Sequence, residues 1–117
     1  PLVAVASRNE SIPRDTNIRK NPKLTRLTSP TPEEQLSSLA QLGVQVVLLE
    51  AGPTLLHAYW QAGLVDEAWV FVGPVGMPNG SGKSPIPDPK ERLRLHTQGS
   101  ATSFGPDHLY RLPIESN

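Results

Sequence analysis

The 117-residue sequence predicts an α/β domain with a mostly parallel central sheet and antiparallel strands at its C-terminus. The first observation is an apolar run from Val44 to Leu49, rich in β-branched residues, which is typical of a strand buried on both faces. The second is that start and stop patterns of a helix occur on both sides of this run. The third is that strand-like segments at Leu24–Thr28 and Glu67–Val72 flank the two helices, which predicts a βαβαβ unit with right-handed crossovers.

The N-terminal part predicts two strands joined by an irregular connection. Leu2–Ala6 is short, apolar and compatible with a β-strand. Residues 7–22 are polar and contain two prolines, which favours a surface loop. Leu24–Thr28 then predicts a second strand.

The first helix has a clear start and stop in the sequence. Thr31 predicts the N-cap, Pro32 suits the first turn, and Glu34 supplies the distal half of a capping box. Its buried face is predicted from apolar residues three and four apart, at Leu36, Leu39 and Ala40. Gly43 is expected to end this helix.

A second helix should follow the apolar run. Gly52 permits unusual backbone angles, and Pro53 suits the first helical position because no amide hydrogen is needed there. Gly63 is expected to end the helix. The apolar stripe of this helix consists of Leu55, Leu56, Tyr59 and Trp60.

A strand that enters a helix through such a turn exposes free backbone amides and the positive end of the helix dipole. Because open α/β sheets bind ligands at this edge, an anion site is predicted at Glu50, Gly52, Pro53 and Thr54. The alternative is that Gly52 and Pro53 only end one element and begin the next. Glu50 directly follows apolar residues and would be costly to bury, so it should face a cleft, although it could instead cap a helix or form a salt bridge.

The C-terminal half contains a long connection followed by further strands. Gly73–Pro89 is dense in glycine, proline and serine, and loops of such length in compact domains are usually functional or mobile. Alternating residues then predict two antiparallel strands near an edge of the sheet, one with Leu93, Leu95 and Thr97 and one with Leu109 and Arg111.

Composition excludes several classes of function. The 11 basic and 11 acidic residues balance, so the charge does not suggest nucleic acid or an anionic membrane as a partner. Cysteine is absent, which rules out disulfides, thiol catalysis and thiolate metal sites and is compatible with a cytoplasmic location. With neither a membrane-span pattern nor a signal peptide pattern, residues 1–117 are expected to form one soluble domain. Because Pro1 opens directly into a strand, we expect that the natural protein either continues N-terminally or has lost that part.

Several other motifs predict no chemistry. Gly82-Lys83-Ser84 resembles the end of a P-loop, but the earlier glycine would fall at Met77 and nearby prolines forbid the required helix. The three histidines, at positions 57, 96 and 108, lack metal-ligand spacing, so no metal site is predicted. GxSxG is absent.

Two further pairs of residues are assigned structural roles. Asp66 and Glu67 are neighbours at a strand start and would point to opposite faces, so they cannot act together on one atom. Tyr59 and Trp60 are expected to be core residues or dimer contacts; substrate stacking is the less favoured alternative.

The segment LEAGPTLLHAYWQAGLVDEA at residues 49–68 resembles the C-terminal reductase domain of the bifunctional riboflavin-biosynthesis deaminase/reductase, a relative of dihydrofolate reductase. The FVGP at residues 71–74 with the glycine-rich stretch 77–82, and SFGPDHLYRL at residues 103–112, are similar to later segments of that family. The resemblance implies a dihydrofolate-reductase-like three-layer sandwich and a homodimer.

The resemblance further implies NADPH-dependent reduction of the ribosyl group of an aminopyrimidine 5′-phosphate to a ribityl group. Position by position, Glu50 resembles the family's substrate-contacting glutamate. The turn that receives the NADPH phosphates corresponds to Gly52, Pro53, Thr54 and Leu55. Thr28, at the end of the preceding strand, is a further cofactor candidate, whereas the catalytic residues remain unknown.

The sequence departs from the family pattern near its start. An S-x-D-G-like segment that helps to build the family's nicotinamide and substrate pocket is missing, and Ser7 stands where many members carry aspartate. One alternative is therefore a non-catalytic nucleotide-binding or assembly module derived from the same fold. Another is a related reductase that acts on a different carbonyl or imine.

Overall fold

A computed structural model of the chain describes residues 2–7, 16–76 and 101–114. The chain divides into two compact units, residues 1–48 and 49–117, and each contains helix and sheet. The predicted mixed α/β class is therefore confirmed at this level.

The first unit contains a parallel pair of strands. Strands β1 (Val3–Ala6) and β2 (Leu24–Leu27) pair in parallel, with Val3 opposite Leu24 and Ala6 opposite Leu27. A 3-10 helix at Asn17–Lys20 lies between them in sequence. Both predicted strands are thus confirmed, and the predicted irregular connection contains one short helical turn.

Helix α1 (Pro32–Gln41) follows β2, as the sequence predicts. Its Leu39 is buried at 4% exposure and Leu36 is half-buried, but Ala40 is exposed, so the prediction of Ala40 in the buried face is wrong. Gln35 is buried instead, at 6% exposure. Burial of this amide is tolerated because its Nε2 donates a hydrogen bond to the carbonyl oxygen of Ser29 at 3.1 Å.

The described part of the second unit contains helix α2 and three strands. Helix α2 spans Pro53–Gln61, and the strands are β3 (Glu67–Val72), β4 (Ala101–Phe104) and β5 (Asp107–Pro113). They form an antiparallel sheet in the order β3-β5-β4. Among the described residues of this unit, the buried apolar side chains are Tyr59, Leu109 and Leu112.

Glycines in the left-handed region end both helices, as predicted. Gly43 has a φ of +84° and Gly63 a φ of +68°. After α1, the amide of Gly43 donates to the carbonyl of Ala40 at 2.9 Å and the amide of Val44 to that of Leu39 at 3.2 Å, which is the Schellman pattern. The end of α2 repeats this pattern. Since these bonds are local, the sequence is sufficient to predict them.

The predicted central strand at Val44–Leu49 is wrong. Residues 44–50 have no regular secondary structure, and Val46 and Leu48 are 88% and 72% exposed. A strand requires a neighbouring chain to complete its hydrogen-bond ladder. In the described part of the chain, β1 pairs with β2, and β5 pairs with β3 and β4, so no ladder includes this segment.

The predicted βαβαβ unit is wrong for the same reason. Strand β3 pairs antiparallel with β5 and has no parallel partner among the described strands. The antiparallel orientation predicted for the strand at Leu109 and Arg111 is confirmed, but this strand, β5, is the central strand of its sheet and not nearer an edge. Its partner β4 lies outside the strands that the sequence predicts. The predicted strand at residues 93–97, and the loop from residue 77 onward, lie outside the described residues.

The β4–β5 hairpin depends on a two-residue turn, Gly105 and Pro106. Gly105 occupies the first central position with a φ of +59°, which type II′ hairpin turns require.

None of the helices within the described ranges has the length and apolar character needed to cross a membrane.

Candidate functional site

Helix α2 begins where the sequence places it, at the predicted anion-binding turn. Gly52 is the N-cap with extended backbone angles, and Pro53 is the first helical residue. The first intrahelical hydrogen bond runs from the amide of Leu56 to the carbonyl of Gly52 at 3.1 Å. The amides of Thr54 and Leu55 precede this bond, so they are donors for which the helix itself provides no acceptor.

The two α-helices that the structure describes differ at their N-termini. In α1 the side chain of Thr31 accepts a hydrogen bond from the amide of Glu34 at 3.3 Å, and Glu33 and Glu34 place two carboxylates in the first turn. In α2 the N-cap is a glycine without a side chain, and the first turn contains no acidic residue. The positive end of the α1 dipole is therefore compensated by its own sequence, whereas the first turn of α2 lacks such compensation.

Gly52 does not adopt the unusual backbone angles that the sequence suggested. Its φ of −67° and ψ of 171° lie in an extended region open to any residue. A Cβ built on Gly52 would meet nothing within 4 Å. Neither backbone strain nor crowding among the described residues therefore requires glycine here.

The predicted site residues around this turn are accessible. Glu50, Gly52, Pro53 and Thr54 are exposed, and Leu55 is half-buried. All five belong to the unit of residues 49–117. The exposure of Glu50 lets its carboxylate remain solvated, which removes the burial cost considered above.

Thr28 belongs to the other unit, residues 1–48. It is exposed and directly follows the last residue of β2. Its position at the carboxyl end of a parallel strand agrees with the sequence prediction.

Asp66 and Glu67, for which the sequence predicts a structural or surface role, lie at the start of β3. The backbone carbonyl of Asp66 accepts a hydrogen bond from the amide of Ile114 at 2.8 Å. The Oε1 atom of Glu67 accepts one from Arg111 Nε at 2.9 Å and another from Trp69 Nε1. Both hydrogen bonds hold the pKa of the Glu67 carboxyl below its ordinary value of 4.5, and the one from Trp69 has the larger effect.

The other residues considered in the sequence do not belong to the turn at Gly52 and Pro53, and some of them lie outside the described residues. Tyr59 is buried, as predicted, and Trp60 is half-buried. His57 and His108 are exposed, and Nδ1 of His108 lies 3.2 Å from the hydroxyl of Ser103. Across the ranges that the structure describes, no three histidine, aspartate or glutamate side chains group as metal ligands would. His96 and the segment 82–84 lie outside the described residues.

A family model described as the RibD C-terminal domain matches residues 1–110. The chain belongs to this family. RibD C-terminal domains are reductase-type enzyme domains of riboflavin biosynthesis and are generally NADPH-dependent. The resemblance found in the sequence is thereby confirmed. No curated protein and no solved structure is significantly similar to the chain.

Sequence reasoning missed a surface on the β3-β5-β4 sheet of this RibD C-terminal domain. Trp69, Phe71 and Phe104 are 53%, 64% and 55% exposed. We call these three residues the aromatic face. Trp69 and Phe71 are two residues apart in β3 and therefore lie on one side of their strand, but only the pairing with β5 and β4 adds Phe104 to them.

Proposed function

We propose that the chain is an NADPH-dependent pyrimidine reductase domain that converts the ribosyl group of an aminopyrimidine 5′-phosphate to a ribityl group. Membership of the RibD C-terminal domain family supports the reaction class. The observation that carries the assignment of the cofactor site is the start of α2, where a helix without a side-chain cap and without first-turn carboxylates opens on exposed residues.

The residues at this turn fit a phosphate group. The amides of Thr54 and Leu55 offer two hydrogen-bond donors, and the dipole of the nine-residue helix favours a negative charge beside them. Thr54 adds an exposed hydroxyl that can donate a third hydrogen bond. We assign the NADPH phosphates to Gly52, Pro53, Thr54 and Leu55.

Gly52 contributes to this site because it has no side chain. Since its backbone angles are ordinary and its surroundings are open, the absence of a Cβ has no use within the described structure. Glycine does allow a bound molecule to approach the backbone closely. A diphosphate seated against the α2 amides would occupy this space.

Glu50 lies two residues before the N-cap of α2 and is assigned to the substrate. An exposed carboxylate is an acceptor for the hydroxyl or amino groups of a ribosyl aminopyrimidine. Thr28 is the further candidate for a contact with the cofactor. NADPH, when bound, supplies the hydride that reduces the ribosyl carbonyl carbon, and the residues named here bind and orient the two molecules.

The finer features of the fold are part of the same proposal. We assign residues 1–117 to one dihydrofolate-reductase-like domain, a three-layer sandwich, that acts as a homodimer. Family membership supports the fold, and the parallel β1/β2 pair and the antiparallel β3-β5-β4 sheet supply strands of both orientations.

The test is NADPH binding by calorimetry, followed by turnover with the ribosyl aminopyrimidine phosphate and mass spectrometry of the product. We expect NADPH to bind and the product to gain two hydrogen atoms. Binding without turnover would instead support the non-catalytic nucleotide-binding module. Failure to bind NADPH would contradict both the reductase and the nucleotide-binding module.

Glu50→Gln tests the substrate assignment. We expect kcat/KM for the aminopyrimidine to fall at least tenfold, which is about 1.4 kcal/mol of transition-state stabilisation, while the Kd for NADPH stays unchanged. Glu33→Gln, an equally conservative change at an exposed carboxylate of α1, is the matched control and should leave both values unchanged. Unchanged kcat/KM in Glu50→Gln would contradict the assignment of Glu50 to the substrate.

A further inference from the structure

A short loop joins β2 to α1 and carries the cofactor candidate Thr28. It consists of Thr28, Ser29, Pro30 and Thr31. Proline fixes its own φ and keeps the preceding residue extended, so Pro30 restricts Ser29. Pro32, the first residue of α1, restricts Thr31 in the same way, and Thr31 has the extended angles φ −113° and ψ 149°. The two prolines therefore limit the conformations that this loop can adopt.

The backbone on both sides of Thr28 is held by hydrogen bonds to residues outside the loop. Before Thr28, the carbonyl of Leu27 accepts a hydrogen bond from the amide of Ser7 at 3.3 Å, which continues the pairing of β1 with β2. After Thr28, the carbonyl of Ser29 accepts one from Gln35 Nε2 at 3.1 Å. Thr28 itself is exposed, so a bound molecule can reach its side chain from solvent.

Gln35 is a polar residue on the buried face of α1. It lies four residues before Leu39, and the two residues are 6% and 4% exposed, so they share this face. An apolar side chain would fill the position of Gln35 without needing a hydrogen-bond partner. The side-chain amide of Gln35 instead binds the carbonyl of Ser29. Buried polar groups with partners hold a structure in one arrangement, so Gln35 fixes the loop relative to the helix.

We propose that Gln35 is a positioning residue, which holds Thr28 in the orientation that contacts NADPH. This inference rests on the proposed function, since it takes Thr28 as a contact of the cofactor. A hydroxyl that is already fixed in place loses little conformational entropy when it binds a ligand, so it contributes more to affinity than a mobile one. The hydrogen bond from Gln35 to Ser29 thus increases the affinity for NADPH although Gln35 does not touch the cofactor.

The alternative is that Gln35 has a structural role only. Its side-chain amide would then satisfy the Ser29 carbonyl and have no effect on the cofactor. Both roles predict that loss of this hydrogen bond lowers Tm, because a backbone carbonyl loses its partner. They differ in whether the affinity of the folded protein for NADPH changes, and in whether that change acts through Thr28.

The first test measures the Kd of the complete chain for NADPH by calorimetry, well below the Tm of every variant. Gln35→Met keeps the approximate size of the side chain but cannot donate a hydrogen bond. We expect it to raise the Kd at least about threefold, because a small displacement of a binding group weakens its contact. Gln41→Met makes the same substitution at an exposed position of α1, so it is the matched control and should leave the Kd unchanged.

A double-mutant cycle tests whether Gln35 acts through Thr28. Thr28→Val removes the hydroxyl and keeps the branched shape, and it should raise the Kd about tenfold because a hydrogen bond to a charged phosphate is lost. If the two residues acted independently, their effects would multiply to about thirtyfold in the double variant. We expect the Kd of the double variant to equal that of Thr28→Val, because without the hydroxyl its orientation no longer matters.

A measurement on the wild-type chain needs no substitution. Heteronuclear NMR resolves the side-chain amide of each glutamine during a titration with NADPH. The hydrogen bond from Gln35 should change when the neighbouring loop binds the cofactor. We therefore expect the Gln35 amide signal to shift along the same binding curve as the signals of Thr28, whereas the Gln41 amide signal should stay in place. This measurement decides the question if Gln35→Met does not fold.

Four results would each overturn the proposal while NADPH binding by the wild type leaves the proposed function in place. They are an unchanged Kd in Gln35→Met, an unchanged Kd in Thr28→Val, effects that multiply in the double variant, and a Gln35 amide signal that does not respond to NADPH. A wild-type chain that does not bind NADPH would contradict the proposed function itself, and this inference with it.

Discussion

Gly52→Ala separates a ligand-binding role of this residue from a structural one. Alanine can adopt the φ of −67° and ψ of 171° found here, and its Cβ would meet nothing within 4 Å. Alanine at this position restricts the unfolded chain, which raises the free energy of unfolding by about 0.4–1 kcal/mol. Alanine is also a poorer N-cap than glycine, which lowers the free energy of unfolding by a comparable amount. The free energy of unfolding without ligand should therefore change by less than about 0.5 kcal/mol.

The effect of Gly52→Ala should appear only when NADPH is present. At a concentration 100 times its Kd, a ligand stabilises the folded state by about 2.7 kcal/mol. If the added methyl group raises the Kd tenfold, the same concentration stabilises by only about 1.4 kcal/mol. For a domain of this length, each kcal/mol corresponds to roughly 4 °C in Tm, so the NADPH-induced shift should fall from about 11 °C to about 6 °C.

The assay is thermal unfolding with and without NADPH, and Gly63→Ala is the matched control. Gly63 also has open space around its Cβ position, but its φ of +68° costs an alanine about 1–2 kcal/mol. Gly63→Ala should therefore lower Tm by roughly 4–8 °C without ligand and retain the full NADPH-induced shift. The reasoning is refuted if Gly52→Ala keeps the full shift, or if it destabilises the free protein as much as Gly63→Ala.

Three further predictions concern stability and ionisation. Thr31→Ala removes the cap of α1 and should lower the free energy of unfolding, measured by chemical denaturation, by about 1 kcal/mol. Ser37→Ala on the same helix should leave it unchanged. Leu112→Ala removes most of a side chain that is only 2% exposed and should lower the free energy of unfolding by about 2–5 kcal/mol. A loss below about 1 kcal/mol would contradict the assignment of Leu112 to the core. Arg111→Gln should raise the pKa of Glu67 in a carboxyl NMR titration, since it removes one of the two groups that lower it. Because a depressed carboxyl pKa stabilises the folded state above the unfolded pKa, wild-type stability should fall with acidification below about pH 4.5 more steeply than that of the variant.

Features fixed by neighbouring residues could be predicted from the sequence. The cap at Thr31 and the left-handed glycines at 43 and 63 all occur as predicted, because each depends on hydrogen bonds within a few residues. The start of α2 at Pro53 is of the same kind, and it locates the candidate phosphate site.

Features that depend on distant partners could not be predicted in this way. The apolar run Val44–Leu49 has the composition of a buried strand, but composition does not supply the neighbouring strand that a ladder needs. The same limit explains the position of β5, whose alternating residues predict a strand but not a place between β3 and β4.

By itself, the sequence determined the two helices with their caps, the strand segments at both ends of the chain, the turn before α2 and the family resemblance. Only the tertiary structure decided which strands pair, that Gly52 has ordinary backbone angles in open surroundings, and that Trp69, Phe71 and Phe104 share one exposed face. The physical reason is range: caps and turns are made by residues next to one another, whereas a sheet brings together residues more than 30 positions apart, as it does for Phe71 and Leu109.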